Sequence, residues 1–122
     1  MLNQEIKEKI TQKSISLEKY GINDLAWTKG DAKSLINEIM KNKIGILGGD
    51  IYKLTSNRLE PLYDNWSCEP TSTESEEAYF FRSKSESLRY IENYSVQTEE
   101  EIIFSITFTE KIEIDESKCN IL

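Results

Sequence analysis

Ile44-Gly45-Ile46-Leu47-Gly48-Gly49-Asp50-Ile51-Tyr52-Lys53-Leu54 is followed, across Ser56-Asn57, by Arg58-Leu59-Glu60-Pro61-Leu62-Tyr63. These two runs decide the fold. The first opens on a short apolar stretch, crosses a glycine pair and then mixes polar with apolar residues. The second alternates polar with apolar less strictly. Together they predict a β-hairpin turning at Ser56-Asn57, its first strand bulged or bent at Gly48-Gly49. Pro61 has no N–H for a ladder hydrogen bond, so its strand is expected at a sheet edge or broken there.

Helical patterns flank the hairpin. Over residues 2–20, Leu2, Ile6 and Ile10 recur every four positions as one amphipathic stripe, Ile15 and Leu17 follow, and Gly21 ends the segment. A second helix is expected to open with Asp31 as N-cap. It would bury Ala32, Leu35, Ile36, Ile39 and Met40, with Lys41 and Lys43 in its last turn. Trp27, just before that cap, is read as packing near the helix start. After the polar connector 70–76, Thr73 and Glu76 have the spacing of a capping box. Phe80 or Phe81, then Ser87 or Leu88, Ile91 and Tyr94 carry a third helix to about residue 94.

Ile102, Phe104, Ile106 and Phe108 alternate with Ser105, Thr107 and Thr109, the pattern of a half-buried strand with one wet face. Ile112 and Ile114 keep the same parity, either continuing that strand or starting another. The expected architecture is α+β: a single domain over residues 1–122, three helices on a small, mostly antiparallel sheet, in the order α-α-β-β-α-β.

Composition excludes more than it assigns. The 122 residues hold 15 basic and 22 acidic side chains, two cysteines and no histidine. Lack of histidine removes serine–histidine and cysteine–histidine catalysis and imidazole-ligated metals. A net charge of −7 argues against binding nucleic acid through its phosphates. The charge is uneven: residues 1–60 carry ten basic and eight acidic groups, net +2, whereas 61–122 carry five and fourteen, net −9. That excess is either a solvated surface or a docking face for a basic partner. The amino terminus shows neither a signal peptide nor a membrane span, and Cys68 and Cys119 read as two thiols of a reducing cytoplasm. Asn65-Trp66-Ser67 and Asn93-Tyr94-Ser95 match a glycosylation pattern only by chance on that reading.

The polar groups that could carry chemistry lie around the hairpin. Asp50, Glu60, Asp64 and Glu69 could form carboxylate pairs able to move a proton or hold Mg²⁺ or Ca²⁺. No segment matches a calcium loop, and Gly48-Gly49 matches no phosphate loop, so surface carboxylates are preferred: no catalytic residue, metal or cofactor is assigned. Trp66, among Asp64, Asn65 and Tyr63, fits an interface anchor and a core residue equally well.

These segments also carry a resemblance. Gly21-Ile22-Asn23 and Trp27, the helix opening at Asp31-Ala32, Ile46-Leu47-Gly48-Gly49-Asp50-Ile51-Tyr52, Tyr63-Asp64-Asn65-Trp66 and Tyr90-Ile91-Glu92-Asn93-Tyr94 follow one another in order. Over about residues 15–108 the chain resembles the bacterial immunity protein 40 family of polymorphic toxin systems. Ser67-Cys68 stands where a bulky aromatic is expected. The resemblance implies a small non-catalytic α+β protein that binds and blocks a cognate toxin domain. If that toxin is a nuclease, carboxylates would lie where its substrate's phosphates lie. Asp50, Tyr52, Asp64, Asn65 and Trp66, with Glu69, Glu74, Glu76 and Glu77 at the rim, are the candidate toxin-facing residues. Alternatively these motif residues, with Trp27, Gly48 and Gly49, hold the fold and the contacts lie elsewhere. Two other classes stand beside this one: a small carboxylate- or metal-dependent enzyme using Asp50 and Asp64, and a general interaction adaptor.

Overall fold

The structure, a computed structural model, describes residues 4–56, 58–96 and 101–110. In chain order it contains α1 (Gln4–Thr11), β1 (Ile15–Ser16), a 3₁₀ turn (Glu18–Tyr20), β2 (Leu25–Thr28), α2 (Lys29–Glu38), β3 (Ile46–Leu54), β4 (Leu59–Ser67), α3 (Glu76–Asn93) and β5 (Ile102–Phe108). The strands form one antiparallel sheet in the order β1-β2-β5-β3-β4. The α+β class and the β3–β4 hairpin match the reading of the sequence, and Pro61 lies on an edge strand. The positions of Leu2, Asn57, Ile112, Ile114 and Cys119 lie outside the described residues.

The element order is different, because β1 and β2 intervene. Leu25, Ala26 and Trp27 are all buried, so β2 has no wet face and no alternation to betray it. Trp27 is therefore a strand residue, its Nε1–H donating to the Ile10 carbonyl at 3.1 Å and its ring edge-on to Phe108. The first helix is correspondingly short. It stops at Thr11, because Ile15 and Ser16 pair with Ala26 and Leu25.

The helix caps also fall elsewhere. Thr28, not Asp31, caps α2: its Oγ1 accepts from the Asp31 N–H at 3.2 Å, leaving Asp31 in the first turn where its charge suits the dipole. Ser75, not Thr73, caps α3 through the Ala78 N–H at 3.1 Å. The buried stripe of α3 is Tyr79, Ser83, Lys84, Ser87 and Ile91, while Phe81 is 60% exposed. Small serines at that stripe let the helix close onto the hairpin. Ser83 Oγ accepts from the Ile46 N–H at 3.0 Å.

One face of the sheet carries the main core. Trp27, Ile46, Ile51, Trp66, Phe104, Ile106 and Phe108 meet Ile6 and Ile10 of α1, Ala32, Leu35 and Ile36 of α2, and Ile91 of α3. The opposite face is not fully wet, contrary to the alternation of β5. Leu17 covers Ala26 and Ile103, and Ser105 is buried, its hydroxyl donating to Asp24 Oδ2 at 2.7 Å. The segment 15–24 folding across β2 and β5 causes this.

Lys84 closes α2. Its buried ammonium donates to the carbonyls of Ile39 and Asn42 at 3.0 and 2.6 Å, the cationic role expected of Lys41 and Lys43. Burial pushes its pKa down to about 8 from 10.5. Between those values the unfolded chain keeps a proton that the folded chain has released, so rising pH favours folding. Lys84→Met should lose about 1–3 kcal/mol at neutral pH, since two carbonyls lose their donor. Urea unfolding at pH 7.5 and 10 should show the gap between wild type and variant widening; a constant gap would contradict the buried ammonium.

Candidate functional site

The glycine pair and Trp66 form the best-fixed part of the hairpin. Gly49 faces Trp66 across the β3–β4 ladder and Ile106 across the β3–β5 ladder. A Cβ on Gly49 would run into the indole of Trp66 and the carbonyl of Ser105. Gly48, at φ 152°, lies against the Trp66 carbonyl and tolerates no side chain either. Register shifts on either side of the pair give the bent strand that the glycines predict.

Trp66 is a core residue. It is 8% exposed, stacks on Tyr90 at 4.9 Å between ring centroids, and donates its Nε1–H to Ser87 Oγ at 2.9 Å. Ser87 donates its own hydroxyl to the Ser83 carbonyl at 2.7 Å. Cys68, where a bulky aromatic was expected, is buried beside Ser83 and Ser87, and its carbonyl accepts from the Tyr79 hydroxyl at 2.6 Å. Tyr94 donates to Asp64 Oδ2 at 2.6 Å; burial first, then that bond and the carboxylate charge, push its pKa up to about 12. Tyr79 meets Cys68, Tyr90 meets Trp66 and Tyr94 meets Asp64, so α3 runs back along β4. Helix and edge strand thus form one flank of the molecule.

The structure divides the candidate residues rather than gathering them. Asp50 pairs directly with Asn65 and with Ser105 on the sheet face away from the helices. Half-buried Tyr52 lies on that face; burial first, then the charges of Asp50 and Asp24, raise its pKa. Asp64 and Trp66 face α3 instead. Asp50 and Asp64 thus point to opposite sides of the sheet and do not make the carboxylate pair that the enzyme reading needs. Among the described residues no group of three or more His, Cys, Asp or Glu is placed to hold a metal.

The acidic rim is mixed in character. Glu74 is held by Arg82 through two bonds of 2.7 and 2.8 Å and accepts from the Thr71 N–H at 3.1 Å. Arg82 also reaches the Glu69 carbonyl and Glu86, clasping the connector to α3. The guanidinium holds the Glu74 carboxyl at about 2, so the clasp operates above the ordinary carboxylate range and is lost as pH falls toward that value. The side chains of Glu69, Glu76 and Glu77 are exposed.

A family model described as immunity protein 40 matches residues 16–108, about three quarters of the chain. The chain belongs to the immunity protein 40 family. No curated protein and no solved structure matches it. An immunity protein binds a toxin protein, a role that requires no catalytic group. Within this immunity protein, the motif residues Trp27, Gly48, Gly49 and Trp66 are internal, and half-buried Tyr90 and Tyr94 brace Trp66 and Asp64 from α3. No helix among the described residues is long and apolar enough to cross a membrane.

Two features were missed from sequence. Arg82 carried no signal beyond its charge. Tyr63 belongs to a quoted motif yet is 87% exposed at φ 62°, the one positive-φ non-glycine among the described residues. The loose alternation of 58–63 was its only hint.

Trp66→Ala should destabilise the protein by about 3–5 kcal/mol in chemical denaturation. Gly49→Ala should cost about 3 kcal/mol by overpacking, and the double variant should cost less than the two together. Simple additivity would show that the ring does not rest on the glycine.

Proposed function

We propose that this chain binds and occludes the domain of a bacterial polymorphic toxin in the cytoplasm, without catalysing a reaction. Family membership carries the reading. The separation of Asp50 from Asp64 supports it against the carboxylate enzyme. No observation favours the general adaptor.

The chemistry of the exposed acids further narrows the target. Many toxins act on nucleic acid through a basic cleft, and an acidic inhibitor matches such a cleft in sign. Asp64, Glu69, Glu76, Glu77 and Glu86 lie along the β4–α3 flank, while Asp50, Tyr52 and Asn65 lie on the open sheet face. On this reading the flank acids speed encounter with a basic cleft. Trp66 and Glu74 contribute from inside, by holding the strand and the connector in place.

Co-expression tests the function directly. The toxin domain encoded beside this gene should arrest growth alone and lose that effect when this chain is co-expressed; continued arrest would refute the reading. Glu76→Gln with Glu77→Gln should slow association several-fold at low salt and flatten its salt dependence, with melting lowered only by the roughly 0.3–1 kcal/mol per site that the first turn of α3 loses. Unaltered association kinetics would remove the start of α3 from the contact.

A further inference from the structure

We infer that Tyr63 is the principal anchor of the toxin interface, a ring presented rigidly by a bulge of β4 to a pocket on the partner rimmed with lysine or arginine. This rests on the immunity reading and names the residue that reading leaves open.

The bulge is visible in the register. Tyr52 pairs with Pro61 and Asp50 with Asn65, so Ile51 alone on β3 is matched by Leu62, Tyr63 and Asp64 on β4. Two extra residues must leave the ladder, and Tyr63 at their centre takes the left-handed conformation. That conformation is unfavourable for a side chain with a Cβ. Such strain persists only where the neighbours enforce it, and here both do. Leu62 packs on the main core, and Asp64 is tied to the Tyr94 hydroxyl.

The result is an aromatic ring 87% exposed on a fixed backbone. Leu47 and Phe81, the other large exposed apolar side chains among the described residues, are only 39% and 60% exposed, and neither has a positive φ. A ring already held in place loses little freedom on binding, which suits a tyrosine hot spot. The edge itself is ill-suited to strand addition, because Pro61 and the bulge interrupt its outer ladder. Recognition at this edge therefore goes through side chains.

Local charge selects the partner's chemistry. Asp64 stands beside the ring, Asp50 and Asn65 lie just beyond it on the ladder, and Arg58 is already engaged by Glu60 at 3.5 Å. Lysine or arginine around an aromatic pocket would meet the Asp64 carboxylate and the ring face together. A groove of about 440 Å³ lies on the same flank, lined by Glu86, Arg89, Tyr90, Asn93, Tyr94 and Ser95. Tyr94 joins it to Asp64, so the contact can extend from the bulge onto α3.

Glycine at position 63 separates anchoring from architecture, since it accepts the left-handed backbone. An active-site-inactivated form of the toxin domain encoded beside this gene, immobilised for binding kinetics, is the probe. Tyr63→Gly and Tyr63→Ala should weaken binding at least ~30-fold, mainly through faster dissociation, and Tyr63→Phe should stay within ~3-fold. Tyr63→Gly should melt no lower than wild type. Wild-type protein that fails to bind the probe overturns the immunity reading, and the anchor with it. Wild-type binding with Tyr63→Gly within ~3-fold overturns the anchor alone. So does a Tyr63→Gly protein that loses stability, or a wild-type dimer that Tyr63→Gly dissociates while toxin binding is unaffected.

Discussion

The contact between the Trp66 indole and the bare backbone of Gly49 sets the geometry of the rest of the protein. With no Cβ on Gly49, the ring lies flat on the hairpin. It then offers its other face to Tyr90 and its N–H to Ser87. Those two residues fix how α3 lies on the sheet, and Ser83, one turn earlier, ties the same helix to Ile46 at the start of β3. Lys84, next to Ser83, reaches the end of α2. One close approach between a glycine and a tryptophan therefore positions a strand pair and two helices.

Buried polar groups carry much of this arrangement. The described residues contain no buried side-chain nitrogen or oxygen without a partner. The partners are mostly backbone groups that would otherwise be orphaned: the Ile10 carbonyl, the Ile46 N–H, and the carbonyls ending α2. Each bond contributes modestly, but breaking one leaves a buried group without water or partner, which costs more than the bond supplied. A small protein gains a single well-defined helix placement from such bonds.

The hairpin, its bent first strand, its edge position and the buried stripe of α2 were legible because glycine, proline and 3.6-residue periodicity act locally. The misses have a common physical source. β2 is buried on both sides and too short for a period, so its strand character comes from pairing with β5, seventy-odd residues away. The dry far face of β5 depends on segment 15–24 crossing it. On α3 the spacing found Ser87 and Ile91 of the buried stripe but not Ser83 and Lys84, whose polarity hides them from hydrophobic periodicity, and of its paired choice Phe80 or Phe81 the second is exposed. Among the candidate residues, hairpin pairing could bring the segments of Asp50 and Asp64 together but could not show that the ladder separates the two carboxylates by face.

The division of labour among the motif residues follows from that geometry. Tyr90 and Tyr94 brace Trp66 and Asp64 and keep one side on the groove. Trp27, Gly48, Gly49 and Trp66 are buried against one another's elements, so none has a surface to offer a partner without loosening the fold. Asp50, Tyr63 and Asn65 belong to the same motifs and project from it. A binding protein needs this combination, because recognition residues hold their positions only if their neighbours are immobile. Tyr63 is the sharpest case. Its neighbours on both sides are held by the core and by α3, while its own ring is left 87% exposed. A chain that only needed to fold would place glycine or asparagine there. A tyrosine at that position makes sense when its ring is used by something outside the chain.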